Sequence, residues 1–142
     1  GIAGLAVLLV AASPCFALTL MVPISKEKAK ELGMEVRTTA TEPNHVSVQL
    51  DFKTEGLFEE FSPAGKHKDH SRVELRTGEG GNPPLTARLK EDRSKPGRVV
   101  VSFTADRTKL DKLRLWVVVP EPDGRTIYDL RLKDIVEPKK DR

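Results

Sequence analysis

The chain has 142 residues, of which 32% are charged, and 24 lysines and arginines against 21 acidic residues leave a net charge of +3. This length suits one ordinary domain. The signs alternate with no basic run longer than a pair, which favours a solvated surface of mixed charge and argues against a nucleic-acid-binding protein. The single cysteine, Cys15, lies near the N-terminus, so the remaining sequence excludes disulfides and thiolate metal sites.

The N-terminal segment has the pattern of an export signal, because its first 25 residues carry no charged side chain. An apolar run is followed by Pro14 and then by small residues at Cys15 and Ala17, a spacing typical of signal-peptide cleavage. We predict that residues 1–17 are a cleaved signal peptide and that the protein is secreted or periplasmic. Two alternatives stay open: a lipoprotein acylated at its cysteine, or an uncleaved anchor over residues 1–24, which would be the only membrane contact.

Residues 18–33 are predicted to form a linker that contains a short helix. The apolar stretch from Leu18 to Ile24 should pair with or cover a sheet edge, since a long exposed apolar strand invites aggregation. Ser25 is a favourable N-terminal cap, and Gly33 is typical of a helix end. These signals predict a helix from Lys26 to Leu32.

From residue 34 onward, apolar and polar residues alternate as they do in half-buried strands. Seven such runs are separated by turns, at residues 34–40, 46–52, 72–76, 85–89, 99–105, 113–119 and 128–132. The pattern predicts an all-β fold, an antiparallel β-sandwich of about seven strands over residues 34–136, with a disordered tail at 137–142. In strand number and length it resembles the immunoglobulin-like and fibronectin III-like sandwiches, a resemblance that implies a scaffold and no function.

Four apolar residues are the candidates for partner binding: Trp116, Val118, Phe58 and Phe61. Trp116 and Val118 alternate with the apolar row of their strand, so they should face outward. The two phenylalanines belong to an irregular stretch at residues 53–70, whose aromatic side chains should fold back on the domain. We expect a protein or glycan partner at this surface or at the loops 53–70 and 78–84. The competing hypothesis is that the N-terminal strand or the loop covers the tryptophan.

The sequence offers one candidate metal site, His67, Asp69 and His70, in which two imidazoles flank a carboxylate. A further ligand would have to come from His45 or from a distant acidic residue. This arrangement gives the alternative function, a metal-binding protein or metal-dependent enzyme; otherwise no cofactor is expected.

No enzyme motif is present, because the sequence has no Gly-x-Ser-x-Gly elbow and its neighbouring carboxylates are adjacent in sequence. Adjacent side chains on a strand point to opposite faces, so they do not form an acid–base pair. The predicted function is therefore an exported, non-catalytic β-sandwich that acts as a binding or structural module outside the cytoplasm.

Overall fold

The computed structural model describes residues 18–66, 68–77 and 89–135. Within these residues the protein is mostly β, which confirms the predicted all-β class. The strands are β1 (Leu18–Ile24), β2 (Glu35–Glu42), β3 (His45–Lys53), β4 (Arg72–Thr77), β5 (Lys90–Asp92), β6 (Arg98–Asp106), β7 (Leu113–Glu121) and β8 (Gly124–Arg131). The predictions outside the described residues are the signal peptide 1–17 with Cys15, His67, the turn 78–84, most of the predicted strand 85–89 and the tail 137–142.

The strands form two four-stranded sheets in the part of the chain that the structure describes. Sheet I has the order β1-β8-β7-β4, and sheet II has the order β2-β3-β6-β5. All neighbouring strands are antiparallel except β1 and β8, which run parallel. Leu18–Ile24 thus pairs with a sheet edge, as predicted, and becomes a strand of the domain rather than a linker.

The inward rows of the two sheets contribute to one hydrophobic cluster, as expected for a two-layer fold. Sheet II supplies Val48, Leu50, Phe52, Val101 and Phe103, and sheet I supplies Leu75, Leu115, Val117 and Leu130. These are the positions that the period-two alternation assigned to the interior. Each buried side chain of this size contributes about 1.5 to 3 kcal/mol to folding. The shared cluster fits a β-sandwich.

Helix α1 (Lys26–Glu31) connects the edge strand of sheet I to the edge strand of sheet II. Its N-terminus is capped by Ser25, whose side chain accepts a hydrogen bond from the backbone N–H of Lys28 at 3.1 Å. At the C-terminus, the N–H of Met34 donates to the Ala29 carbonyl at 2.9 Å, and the N–H of Gly33 donates to the Lys30 carbonyl at 3.0 Å. This pair of bonds is a Schellman motif, and Gly33, at φ 79°, supplies the left-handed residue that it requires. The predicted cap and stop residues are confirmed.

The remaining helical segments are short. Helix α2 (Leu132–Ile135) follows β8, and 3-10 helices span Gly56–Phe61, Lys68–His70 and Arg107–Lys112. Among the described residues, neither α-helix has the length and apolar character that crossing a bilayer requires.

Strand β1 lies close against the tip of the β7–β8 hairpin. Leu18 is in register with Gly124, and a Cβ atom built on that glycine would lie 1.9 Å from the Leu18 carbonyl oxygen. The glycine has φ 155°, a conformation that L-residues rarely adopt. Only glycine therefore permits this approach of the two strands.

Candidate functional site

The described residues do not assemble the predicted metal site. His67 lies outside them, while Asp69 and His70 are exposed in a short 3-10 helix before β4. His45 begins β3, where its Nδ1 lies 3.3 Å from Glu42 Oε1. Within the described ranges, no three His, Cys, Asp or Glu side chains are grouped closely enough to hold a metal ion. The metal hypothesis stays a prediction that depends on His67.

The structure corrects the assignment of Phe58 and Phe61 to a partner surface, because they are only 2% and 1% exposed. The ring centroid of Phe58 lies 5.0 Å from that of Phe52 in β3 and 5.4 Å from that of Tyr128 in β8. Phe61 packs edge-on against Phe52 at 5.2 Å. Tilted and edge-to-face contacts of this kind add to the stabilisation from burial. The two phenylalanines fasten the 53–70 segment to the core.

Val118 is likewise buried, at 1% exposure, and is corrected as a partner residue. Trp116 points outward from sheet I as predicted, but it is half-buried under polar neighbours. Its Nε1–H donates to Asp129 Oδ1 at 3.1 Å, and the Arg76 guanidinium lies 4.1 Å from the ring centroid, in a cation–π contact. The tryptophan face is therefore covered by charged side chains of its own sheet.

An ionic network continues this face along β4. Glu74 is 5% exposed and accepts hydrogen bonds from the Nε of Arg72 and, at 2.8 Å, from the Nε of Arg76. Burial opposes ionisation of the carboxyl group, but these hydrogen bonds and the two positive charges outweigh it and lower the pKa of Glu74. The network stabilises an ionised carboxylate with satisfied partners, which is a structural arrangement rather than a free site.

A groove of about 790 Å³ lies between α1 and the end of sheet II where β2 begins. Five of its lining side chains are cationic and one is acidic, which gives the lining a charge of +4 against +3 for the whole chain. The described lining residues are Lys26, Ala29, Lys30, Gly33, Met34, Glu35, Val36, Arg37, Lys53, Arg98 and Ile135. The described lining of this groove is therefore strongly positive.

Helix α1 supplies one cationic wall of the groove. Lys26 and Lys30 are four residues apart, a spacing that places both on one helix face. Ala29 is buried beside them and holds the helix against the core. Lys30 forms no ion pair with any described residue. The Ser25 cap and the Schellman motif fix the two ends of the helix that carries these lysines.

Sheet II supplies the opposite wall, where Lys53 at the end of β3 lies directly across from Arg98 at the start of β6. Like charges in such a cross-strand pair are destabilising. Asp51 offsets the cost for Arg98, since its Oδ1 lies 2.9 Å from Nε and 2.8 Å from Nη2 of the guanidinium. Lys53 has no such partner among the described residues. A locally unfavourable pair of this kind is typical of functional sites.

The edge strand β2 completes the groove and contributes the one acidic residue of the described lining. Glu35 Oε1 lies 3.5 Å from Arg37 Nη2 and 3.9 Å from Arg98 Nη2, so its charge is shared between two guanidinium groups. The lysines at positions 30 and 53 are left as the cations without carboxylate partners in the described lining. The arrangement can bind a multivalent anion between the helix and the sheet.

Sequence reasoning missed this groove because its cations come from separate segments. No two of the lining cations are adjacent in sequence, so a search for basic runs finds nothing. The helical spacing of Lys26 and Lys30 was a usable local signal. The juxtaposition of Lys53 with Arg98 depends on the pairing of β3 with β6, which alternation alone does not specify.

Comparisons of the chain with protein-family models, with curated proteins and with solved structures found no significant match.

Proposed function

We propose that the protein is an exported, non-catalytic binding module whose ligand is an anion held in the groove between α1 and sheet II. The observation that carries this proposal is the convergence of five cationic side chains on one concave surface. Charged clefts focus the electrostatic field and raise the local concentration of oppositely charged ligands. The groove replaces the tryptophan face as the favoured binding surface.

The proposal includes an immunoglobulin-like β-sandwich as the scaffold. The order β2-β3-β6-β5 corresponds to the ABED sheet of a constant-type domain, and β8-β7-β4 corresponds to its GFC sheet. Strand β1 is then an added edge strand parallel to the last strand. Such scaffolds carry many unrelated functions, so the order supports the fold type alone.

Binding is favoured over catalysis by the chemistry of the groove. A hydrolytic site needs a nucleophile beside a base, or two carboxylates with separate roles. Among the described lining residues, Glu35 is the single carboxylate, and both Arg37 and Arg98 engage it. The uncharged N-terminal pattern supports export, and an exported protein would present the groove outside the cytoplasm.

Calorimetric titration with inorganic pyrophosphate at low salt tests the groove. We expect the double variant Lys30→Ala/Lys53→Ala to bind about tenfold more weakly, because it removes two charge contacts of roughly 0.5 to 1 kcal/mol each. Raising the salt concentration should weaken binding by the parent protein.

The matched control is Lys109→Ala/Lys112→Ala, which removes the same charge from the exposed 3-10 helix Arg107–Lys112. This control should bind pyrophosphate nearly as well as the parent. An equal loss in both double variants would mean that net charge, and not the groove, drives binding. Absence of binding by the parent protein would contradict the proposal outright.

A further inference from the structure

The outward face of sheet II carries a strip of neutral polar side chains. The strand register places Ser47 between Thr39 on β2 and Thr104 on β6. One pair further along, Gln49 lies opposite Ser102. All five side chains are exposed or half-buried. Three neighbouring strands thus present hydroxyl and amide groups on one surface.

This strip is continuous with the cationic groove. Arg98 begins β6 at the groove, and Thr104 lies on the same face of that strand about 20 Å away, at about 3.3 Å per residue. A second cation, Lys90, lies on β5 directly opposite Ser102. It lines a shallow pocket of about 360 Å³ together with Ser47, Ser102, Phe103 and Thr104. The face therefore has cations at the groove and at Lys90, with neutral hydrogen-bonding groups between them, over a length suited to an extended ligand. Its carboxylates Asp51 and Asp92 accept hydrogen bonds from Arg98 and Ser94.

From this arrangement, and resting on the proposed anion-binding function, we infer that the ligand is an acidic polysaccharide lying along the outward face of sheet II. Serine, threonine and glutamine side chains both donate and accept hydrogen bonds, as sugar hydroxyl groups require. The groove lysines and Lys90 match carboxylate or sulfate groups at intervals along the same chain. Hydrogen bonds to the hydroxyl groups orient the polymer, and the cations supply much of the attraction.

The competing polyanion, single-stranded nucleic acid, fits this face poorly. Proteins that bind single strands stack the bases on aromatic side chains along a basic groove. The outward positions of the described strands of sheet II contain no Phe, Tyr or Trp, and Phe103 points inward at 5% exposure. The single tryptophan, Trp116, lies on sheet I beneath Arg76. The face offers hydrogen bonds and charge without a stacking platform.

The test measures binding of four probes to the purified protein: a heparin-derived octasaccharide, a galacturonic acid octamer, a neutral dextran octamer and a single-stranded DNA of the same charge as the heparin fragment. The variant is Ser102→Val/Thr104→Val, which removes two hydroxyl groups, keeps every charge and suits a strand. We expect binding of the sulfated or the carboxylated octamer to weaken about tenfold, since two hydrogen bonds are lost. Pyrophosphate binding in the groove should not change.

The control variant is Thr19→Val, which makes the same type of change on the edge strand of sheet I. It should bind both acidic octamers like the parent. The inference is overturned if the valine double variant binds them unchanged, if neither acidic octamer binds better than dextran, or if the DNA binds more tightly than both. In each of these cases, loss of pyrophosphate binding in Lys30→Ala/Lys53→Ala would still support the groove, so the two proposals fail separately.

Discussion

Phe58 offers a direct test of how the 53–70 segment is held, since its side chain contacts both sheets. Its ring lies 5.0 Å from that of Phe52 in sheet II and 5.4 Å from that of Tyr128 in sheet I. Truncating a fully buried phenylalanine to alanine costs about 3 to 5 kcal/mol through lost burial and the cavity left behind. Small domains have total stabilities of about 5 to 15 kcal/mol, so Phe58→Ala should remove a large fraction.

The adjacent residue provides the control. Leu57 belongs to the same 3-10 helix but is 50% exposed, so Leu57→Ala should cost about 1 kcal/mol or less. Equilibrium unfolding in urea measures the stability of both variants. The fluorescence of the single tryptophan, which lies in sheet I, follows the unfolding. If Phe58→Ala folds too poorly to measure, Phe58→Leu keeps most of the volume and should cost about 1.5 kcal/mol.

A loss of stability in Phe58→Ala that is no larger than the loss in Leu57→Ala would contradict this expectation. Such a result would mean that the side chain at position 58 is not packed in solution. It would also restore the aromatic pair of this segment as candidates for partner binding. A changed urea dependence without a changed midpoint would point to a different unfolded state instead.

Two further predictions concern the ionic face and the N-terminus. The pKa of Glu74 is lowered in the folded protein, so its contribution to stability is present above its unfolded value of about 4.5 and is lost as the pH falls further. Glu74→Gln should therefore cost about 1.5 to 3 kcal/mol of stability at pH 7. Urea titrations should show that the variant loses less stability than the parent below pH 4.5. Parallel pH profiles of stability for the variant and the parent would contradict this. Export with cleavage predicts that N-terminal sequencing of the secreted product starts near Leu18, whereas intact residues 1–17 would refute the signal-peptide hypothesis.

The strands that alternation predicted best are those whose faces differ most. In β3, Val46, Val48 and Leu50 are buried, while His45, Ser47 and Gln49 are partly exposed, which is the pattern that a two-sided strand produces. The ends of α1 were also predictable, because capping by Ser25 and termination at Gly33 are local interactions. Alternation and capping depend on residues close in sequence, and they account for most of the fold that was predicted.

The features that escaped prediction depend on contacts between distant segments. The outward direction of Trp116 follows from alternation, but its cover by Arg76 requires the pairing of β4 with β7. Phe58 and Phe61 were expected to fold back on the domain, yet apolar character alone also suggested a partner surface. The groove is the extreme case, since its cationic walls meet only after α1 and sheet II are in place.

The parallel pairing of β1 with β8 has a mechanical consequence. Leu18 and Gly124 lie side by side at one end of the pair, and Ile24 and Leu130 lie at the other. A pull on the start of β1 against the end of β8 acts along both strands, while their hydrogen bonds lie across that direction. The load is then shared by the bonds of the whole pair instead of opening them one by one. Under tension, this edge strand should resist shearing like a clamp, although most of its side chains are exposed.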